Sequence, residues 1–309
     1  MKIFITGQNS FIGRELARRC AGRGVEVAGI DTNCAGLPSC HPADIRDRDI
    51  AEHIPMDVDA VVHLAALSRD ADCRGQAMRS FDVNVMGTLN LIEAARSRRA
   101  RQFIFASSEW VYDRCDNETE KLEEDTIDIT SLTSEYALTK LVGEMSLRQA
   151  HQQGLCPVSI LRFGIVYGPH RGNWSAVEAL VNAVATEKEV AVGSLLTARR
   201  FIHVSDVADA ILSVVGLKGL EILNVQGPRL VSLGEIIDQS MRLLGSRPVI
   251  QERDATHPSV RNISSRKIES LLGWRAKIGI VEGIRSVAEF LQLQTVQQPP
   301  PDVRIQSCS

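Results

Sequence analysis

Two rhythms of apolar and polar residues alternate along this chain. Short, mostly apolar runs occur at residues 2–5, 25–30, 59–66, 101–107, 155–163 and 221–225. Runs of that length, apolar on neighbouring residues rather than on alternate ones, are what parallel strands buried on both faces show. Between them the apolar residues recur three and four apart. Phe11, Ile12, Leu16 and Ala17 interleave with Arg14, Glu15, Arg18 and Arg19, the two faces of a helix. The same reading predicts a long helix over 78–98 and others over 133–150, 174–187 and 205–215. Residues 199–204 read as a further strand. Ser232 with Glu235 three residues on is a capping-box opening for another helix. Strands alternating with helices predict an α/β fold built on a doubly wound parallel sheet. No internal repeat is evident.

Composition narrows the class. The 309 residues are 44% hydrophobic and 24% charged with net charge −3, enough for one large domain or two unequal ones. That balance gives no reason to expect nucleic acid or an acidic membrane surface. The opening apolar run is too short for a signal peptide, and no segment approaches membrane-spanning length. Seven cysteines, at 20, 34, 40, 73, 115, 156 and 308, are odd in number and form no Cys-x-x-Cys pair. They read as reduced thiols of a cytoplasmic protein. Residues 295–309, with Pro299-Pro300-Pro301 and no periodicity, read as a disordered tail.

Two stretches carry candidate chemistry. The first strand runs into Thr6-Gly7-Gln8-Asn9-Ser10-Phe11-Ile12-Gly13, a helix follows, and the second strand ends in Asp31. Strand, glycine turn, helix, strand, acid is the dinucleotide-binding unit of a Rossmann-type sheet. The helix N-terminus offers N–H groups and a positive dipole end to a pyrophosphate. Asp31 is placed to bond a ribose 2′-hydroxyl and would repel a 2′-phosphate, favouring NAD over NADP. The small residues after Leu64, Ala65 and Ala66, leave room for a cofactor at a strand's carboxyl end. His63 reads as structural. In the second stretch, Tyr136 and Lys140 stand four apart on one helix, side by side. A fixed ammonium lowers a phenol's pKa and makes it a usable proton acceptor.

Several ordered motifs make the chain resemble the NAD-dependent epimerase/dehydratase family, the extended short-chain dehydrogenases/reductases. They are Thr6 to Gly13, His63-Leu64-Ala65-Ala66, Asn84-Val85-Met86-Gly87-Thr88, Ser107 to Asp113, Tyr136 to Lys140, Leu161 to Pro169, Arg199 to Ala208 and Leu272-Gly273-Trp274. The resemblance implies a Rossmann domain over 1–165 plus about 200–230. A smaller substrate domain would be formed by 166–199 and 231–294. It implies an enzyme with NAD as cofactor, a nucleotide-diphosphate sugar as substrate and a homodimeric assembly. Cofactor contacts would come from Gly7, Ser10, Phe11, Ile12, Gly13, Asp31, Asp44, Ile45, Leu64, Ala65, Ala66, Asn84, Tyr136, Lys140 and Phe163. Ser108 and Tyr136 would bracket the carbon being oxidised, with Lys140 on the nicotinamide ribose. Ser108, Glu109, Trp110, Ile165, Arg199 and Arg253 would face the substrate.

The departures from the family pattern shape the expected reaction. Ser10 stands for the middle glycine, Asp113 for the glycine after Tyr112, and Ile165 for a sugar-nucleotide-binding Asn. Glu109 and Trp110 stand where the family's 4,6-dehydratases carry Asp and Glu. Trp110 cannot abstract a proton, and Glu109 reads equally as a solvated or salt-bridged loop acid or as a catalytic group. Arg200 reads as a surface charge. The leading expectation is epimerisation by oxidation and re-reduction at C4. Dehydration, decarboxylation and ketone reduction remain alternatives on the same first step, and a non-catalytic NAD-binding scaffold is a further one.

Overall fold

The computed structural model describes residues 1–112, 119–172 and 174–296. Asp113, Cys115, Cys308 and most of the expected tail lie outside the described residues.

The first strand sets the architecture. In β1 (Lys2–Thr6), Ile3 and Ile5 belong to one hydrophobic cluster and Phe4 to another, and all three are fully buried. The first cluster adds Leu16 of helix Phe11–Ala21 and Val207 and Ile211 of helix Val204–Ser213. The second adds Leu91 of helix Gly87–Ser97 and Leu147 of helix Glu135–Gln152. A strand apolar on both faces thus receives helices on both. Burial of a ring such as Phe4 or Phe103 stabilises by roughly 1.5–3 kcal/mol.

The other strands are β2 (Glu26–Asp31), β3 (Cys40–Pro42), β4 (Ala60–His63), β5 (Phe103–Ser108) and β6 (Val158–Phe163), followed by Leu220–Val225. The spatial order is β3-β2-β1-β4-β5-β6, then Leu220–Val225, and each neighbouring pair is parallel. The order reverses between β1 and β4, so a crevice opens at their carboxyl ends. Among the described residues no helix is long and apolar enough to cross a membrane.

Three local expectations change. The helix expected over 78–98 is a helix Ala77–Phe81, a π turn Asp82–Met86 and the helix Gly87–Ser97. Inside that turn the Asn84 side chain accepts from Leu67 N at 2.8 Å and donates to Leu67 O and Thr139 Oγ1. Cys34 and Cys40 are disulfide-bonded rather than reduced; their Cα atoms are 5.5 Å apart, within bridging range. Counting cysteines could not reveal this, because the pairing of β3 with β2 is what draws Cys40 back. Residues 260–279, grouped by sequence with the smaller domain, belong to the larger unit.

The chain divides into two compact units. The larger is Met1–Val166, Arg199–Leu230 and Val260–Gly279. The smaller comprises Tyr167–Ala198, Val231–Ser259 and the described part of Ile280–Ser309. In the smaller unit, helix Ala176–Thr186 opens on a capping box between Ser175 and Glu178. Strands Glu189–Val192 and Val249–Glu252 pair in parallel. Gly283 of helix Ile280–Phe290 admits the fully buried Tyr167, whose hydroxyl lies 2.0 Å from where a Cβ would stand.

A buried ion pair joins the elements around the end of β5. Arg162 of β6 donates to Glu144 of helix Glu135–Gln152 through Nε at 3.0 Å and Nη2 at 2.7 Å, with side chains 3% and 0% exposed. Ser107 donates to the same carboxylate at 2.5 Å, and Arg162 Nη1 donates to the Tyr112 hydroxyl at 2.8 Å. That hydroxyl donates in turn to Asn224 Oδ1 at 2.9 Å. Arg162→Met would strand the Glu144 carboxylate and should lower stability by about 3–5 kcal/mol. Urea unfolding measures it, and an unchanged midpoint would refute this role.

Candidate active site

Ser134 starts the helix that carries the central pair. Its extended backbone ends the preceding loop, and its hydroxyl accepts from Ala137 N at 3.2 Å and donates to Asp70 at 2.6 Å. One turn in, Tyr136 and Lys140 share a face, 7% and 5% exposed. Lys140 Nζ donates to Ala106 O of β5 at 2.9 Å and lies 5.8 Å from the centre of the Tyr136 ring. Ser108, two residues on from Ala106, stands close enough to Tyr136 for its hydroxyl to act on the phenol. The carboxyl end of β5 and this helix therefore bring Ser108, Tyr136 and Lys140 together.

The expected lowering of the Tyr136 pKa is not found. Burial pushes the phenol up to about 12, and the neighbouring Ser108 hydroxyl only partly opposes it. Burial also pushes Lys140 down to about 8, against the pull of Cys73 and Glu144. A dry site raises the cost of both charges together, which spacing on a helix cannot convey.

The glycine turn has the shape a dinucleotide needs. Gly7 has φ +71°, and a Cβ on Gly13 would stand 2.2 Å from Gly7 O, so the turn closes only without side chains there. Ser10 is the N-cap of helix Phe11–Ala21, its hydroxyl accepting from Gly13 N at 3.1 Å. Phe11 and Ile12 form the first turn. Asp31, at the end of β2, accepts from Asn9 N at 3.0 Å and Asn33 N at 3.1 Å, which fixes its carboxylate beside the turn. These residues fit NAD: a close-packed turn, a helix N-terminus for the pyrophosphate and an acid for the ribose.

The remaining expected cofactor residues are placed as follows. Leu64 is buried after β4, and Ala65 N donates to Thr6 Oγ1 at 3.3 Å, with Ala66 half-buried next to it. Phe163 ends β6, in register with Ser108. Asn84 spends its amide on Leu67 and Thr139, so it holds the loop after β4. The Asp44 carboxylate is taken by Arg46 at 2.6 and 2.9 Å, and Ile45 is a core residue. His63 is structural: Thr88 gives its proton to Asn84 O, so toward His63 Nε2 it accepts, and Nδ1 accepts from Thr6. Burial holds this imidazole down at about 3, hence neutral.

Beside Ser108 lies a charged cluster. Glu109 is 1% exposed, with Arg199 Nε at 3.7 Å and Arg261 Nη1 at 3.9 Å. The Arg261 guanidinium is 4.7 Å from the centre of the Trp110 ring, in cation–π range. Glu109 is therefore no solvated loop acid. Burial pushes it up to about 7, opposed by Arg261 and then Arg199. The second guanidinium here is Arg261, which the sequence reading missed. Arg253, expected in that role, is exposed in the smaller unit, its backbone N donating to Val192 O. The one trace of Arg261 in the sequence is its place two residues before the apolar Ile263, which is fully buried. Arg200 is no free surface charge: it donates to Asn262 at 2.8 Å and Glu120 at 2.9 Å. Ile165 is half-buried, and its carbonyl accepts from Ile202 N at 3.0 Å.

Several known proteins are similar to this chain along most of its length. A UDP-glucose 4-epimerase of Streptomyces lividans is 28% identical, with 91% of this chain and 94% of the relative covered. UDP-glucuronic acid decarboxylase 1 of Arabidopsis thaliana is 24% identical over 94% of this chain and 70% of the relative. The solved structure of MoeE5 in complex with UDP-glucuronic acid and NAD superposes with a TM-score of 0.84 at 26% identity, covering 94% of this chain and 99% of that one. Residues 3–225 match the NAD dependent epimerase/dehydratase family, and the chain belongs to that family.

Proposed function

We propose that this member of an NAD-dependent enzyme family is a nucleotide-sugar 4-epimerase. The observation that carries this reading is the meeting of Ser108, Tyr136 and Lys140 at the end of β5, with Trp110 where a dehydratase would need a base. NAD, held at the glycine turn and Asp31, supplies the hydride acceptor and donor for the sugar carbon. Ser108 orients the reacting hydroxyl, and Tyr136 takes and returns its proton at the phenol oxygen. Lys140 keeps its positive charge against the carbonyl of Ala106, where it favours the phenolate once the site is filled. Arg199 and Arg261 offer guanidinium forks to the substrate's diphosphate. Epimerisation asks for no further acid or base, only room for the keto-sugar to present its other face.

Decarboxylation of a sugar uronate is the second reading. It is favoured by the two arginines next to Ser108 and by the relatives named above. A ketone beside the carbon bearing the carboxylate lets carbon dioxide leave without an added base.

Assembly follows from an apolar face. On helix Glu135–Gln152, Leu138 and Met145 are exposed and Val142 half-buried, at helical spacing. Leu141 of the same helix is instead turned inward against Val111, Tyr112 and Ile263. Met78, Met86 and Leu89 are exposed at 87%, 56% and 38%. These two stripes suit a second copy of the chain, packed helix against helix as a homodimer.

Incubation with UDP-, dTDP-, GDP- and CDP-sugars without added reductant should yield a product isobaric with its substrate by mass spectrometry. A product lighter by one water refutes the epimerase, and loss of carbon dioxide selects the second reading. Tyr136→Phe should fold and bind NAD yet lose about a hundredfold or more of the turnover. NAD should bind more tightly than NADP by calorimetry, and Asp31→Ala should relax that preference; tighter NADP binding would refute the role of Asp31. Light scattering at micromolar concentration should give a dimer, and Met86→Glu with Leu138→Glu should give a monomer; a monomeric parent would refute the assembly.

A further inference from the structure

Glu109 is a carboxylate without the hydrogen bonds that buried carboxylates normally have. Neither oxygen has a hydrogen-bond partner among the described residues, and both guanidiniums stand beyond hydrogen-bond reach at 3.7 and 3.9 Å. Taking such a group out of water costs several kcal/mol unless close partners repay it. Two positive charges face this one negative charge, and all three groups belong to the larger unit. Both guanidiniums thus stand beside Glu109 without hydrogen-bonding to it, so an anion that bonds them directly would take their charge from the carboxylate. Arg261 is held for it by the Trp110 ring.

We infer that Glu109 is a resident counter-anion, displaced from Arg199 and Arg261 by the substrate's diphosphate and protonated from solvent as this happens. The inference rests on the nucleotide-sugar reading above. Once both guanidiniums bond phosphate oxygens, Glu109 is left in a dry site next to added negative charge. An O–H bond then forms on its carboxylate, with the proton drawn from solvent and no other bond changed. The neutral acid next to Ser108 can donate to a sugar hydroxyl instead of repelling the phosphates.

The sign follows from the charges that face Glu109, which are Arg261 and Arg199. Burial places the free carboxyl near neutrality, pushed up to about 7, so at pH 8 it is mostly ionised. A bound diphosphate raises it further. Proton uptake should thus be largest on the alkaline side, and affinity should weaken there by up to about tenfold per pH unit.

The test is calorimetric titration of NAD-loaded protein with UDP-glucose at pH 8, in Tris and in HEPES, whose ionisation heats differ. Tyr136→Phe serves as the parent, to prevent turnover. Uptake is expected in the parent and should fall by close to one proton per ligand when Glu109→Gln is added; any remainder in both proteins belongs to Lys140, which lies at about 8. The added substitution should also tighten binding at pH 8 by up to about tenfold and remove the share of its pH dependence that Glu109 supplies. Binding without proton uptake, or equal uptake in both proteins, overturns the inference alone. Failure to bind UDP-, dTDP-, GDP- or CDP-glucose overturns it together with the substrate reading. Should Glu109→Gln not fold, an affinity of the parent that stays flat from pH 6 to 8 overturns it equally.

Discussion

The bidentate pair between Arg162 and Glu144 is the interaction on which the site depends. It lies where β5, β6 and helix Glu135–Gln152 meet, and both charges are almost wholly removed from water. Desolvation makes such a pair a poor source of net stability but a strict constraint on geometry, because any displacement exposes an uncompensated charge. Its neighbours extend the constraint. Ser107 on β5 is bound to the same carboxylate that Arg162 grips, and Ser108 follows it directly. Tyr136 and Lys140 are on the helix that carries Glu144, about two turns and one turn before it respectively. The placement of the Ser108 hydroxyl relative to the phenol is thereby constrained by a charge pair that touches neither.

Around this constraint the polar groups divide by whether they are satisfied. His63, Asn84, Asp44 and Arg200 have partners close at hand, and each holds backbone or loop in place. Glu109 has no hydrogen bond among the described residues, although it is as deeply buried as any of them. Folding alone gives no reason to keep a carboxylate in that state. Strain of this kind is found where structure serves chemistry rather than stability.

Much of this was legible in the residues. Runs apolar on neighbouring residues point to strands covered on both faces, and their alternation with helical patterns gave the parallel sheet and its helices. Tyr136 and Lys140 were visible because a helix repeats at a fixed interval, and the glycine turn because strand, turn and acid lie close in sequence. What escaped notice lies far apart in the chain. Arg261 is 261 − 109 = 152 residues from Glu109, and no period or spacing links them. The Cys34–Cys40 bond depends on how β3 folds back on β2. The direction of Leu141 depends on Ile263. Local pattern carries the elements, while the environment of a charge is a property of the packed chain.

The π turn at Asp82–Met86 has a consequence for the outside of the molecule. A helix rotates about 100° per residue, so Met78 and Met86, 86 − 78 = 8 positions apart, would stand roughly 80° out of line on an unbroken helix. A wide turn absorbs one residue, and with seven effective steps the same two side chains come within roughly 20° of one another. Leu89, three residues further on, then continues the row. The Asn84 amide that anchors the loop after β4 sits inside that turn. One irregularity thus sets two registers, holding a polar contact inward and aligning an oily ridge outward. Removing the extra residue would disturb both.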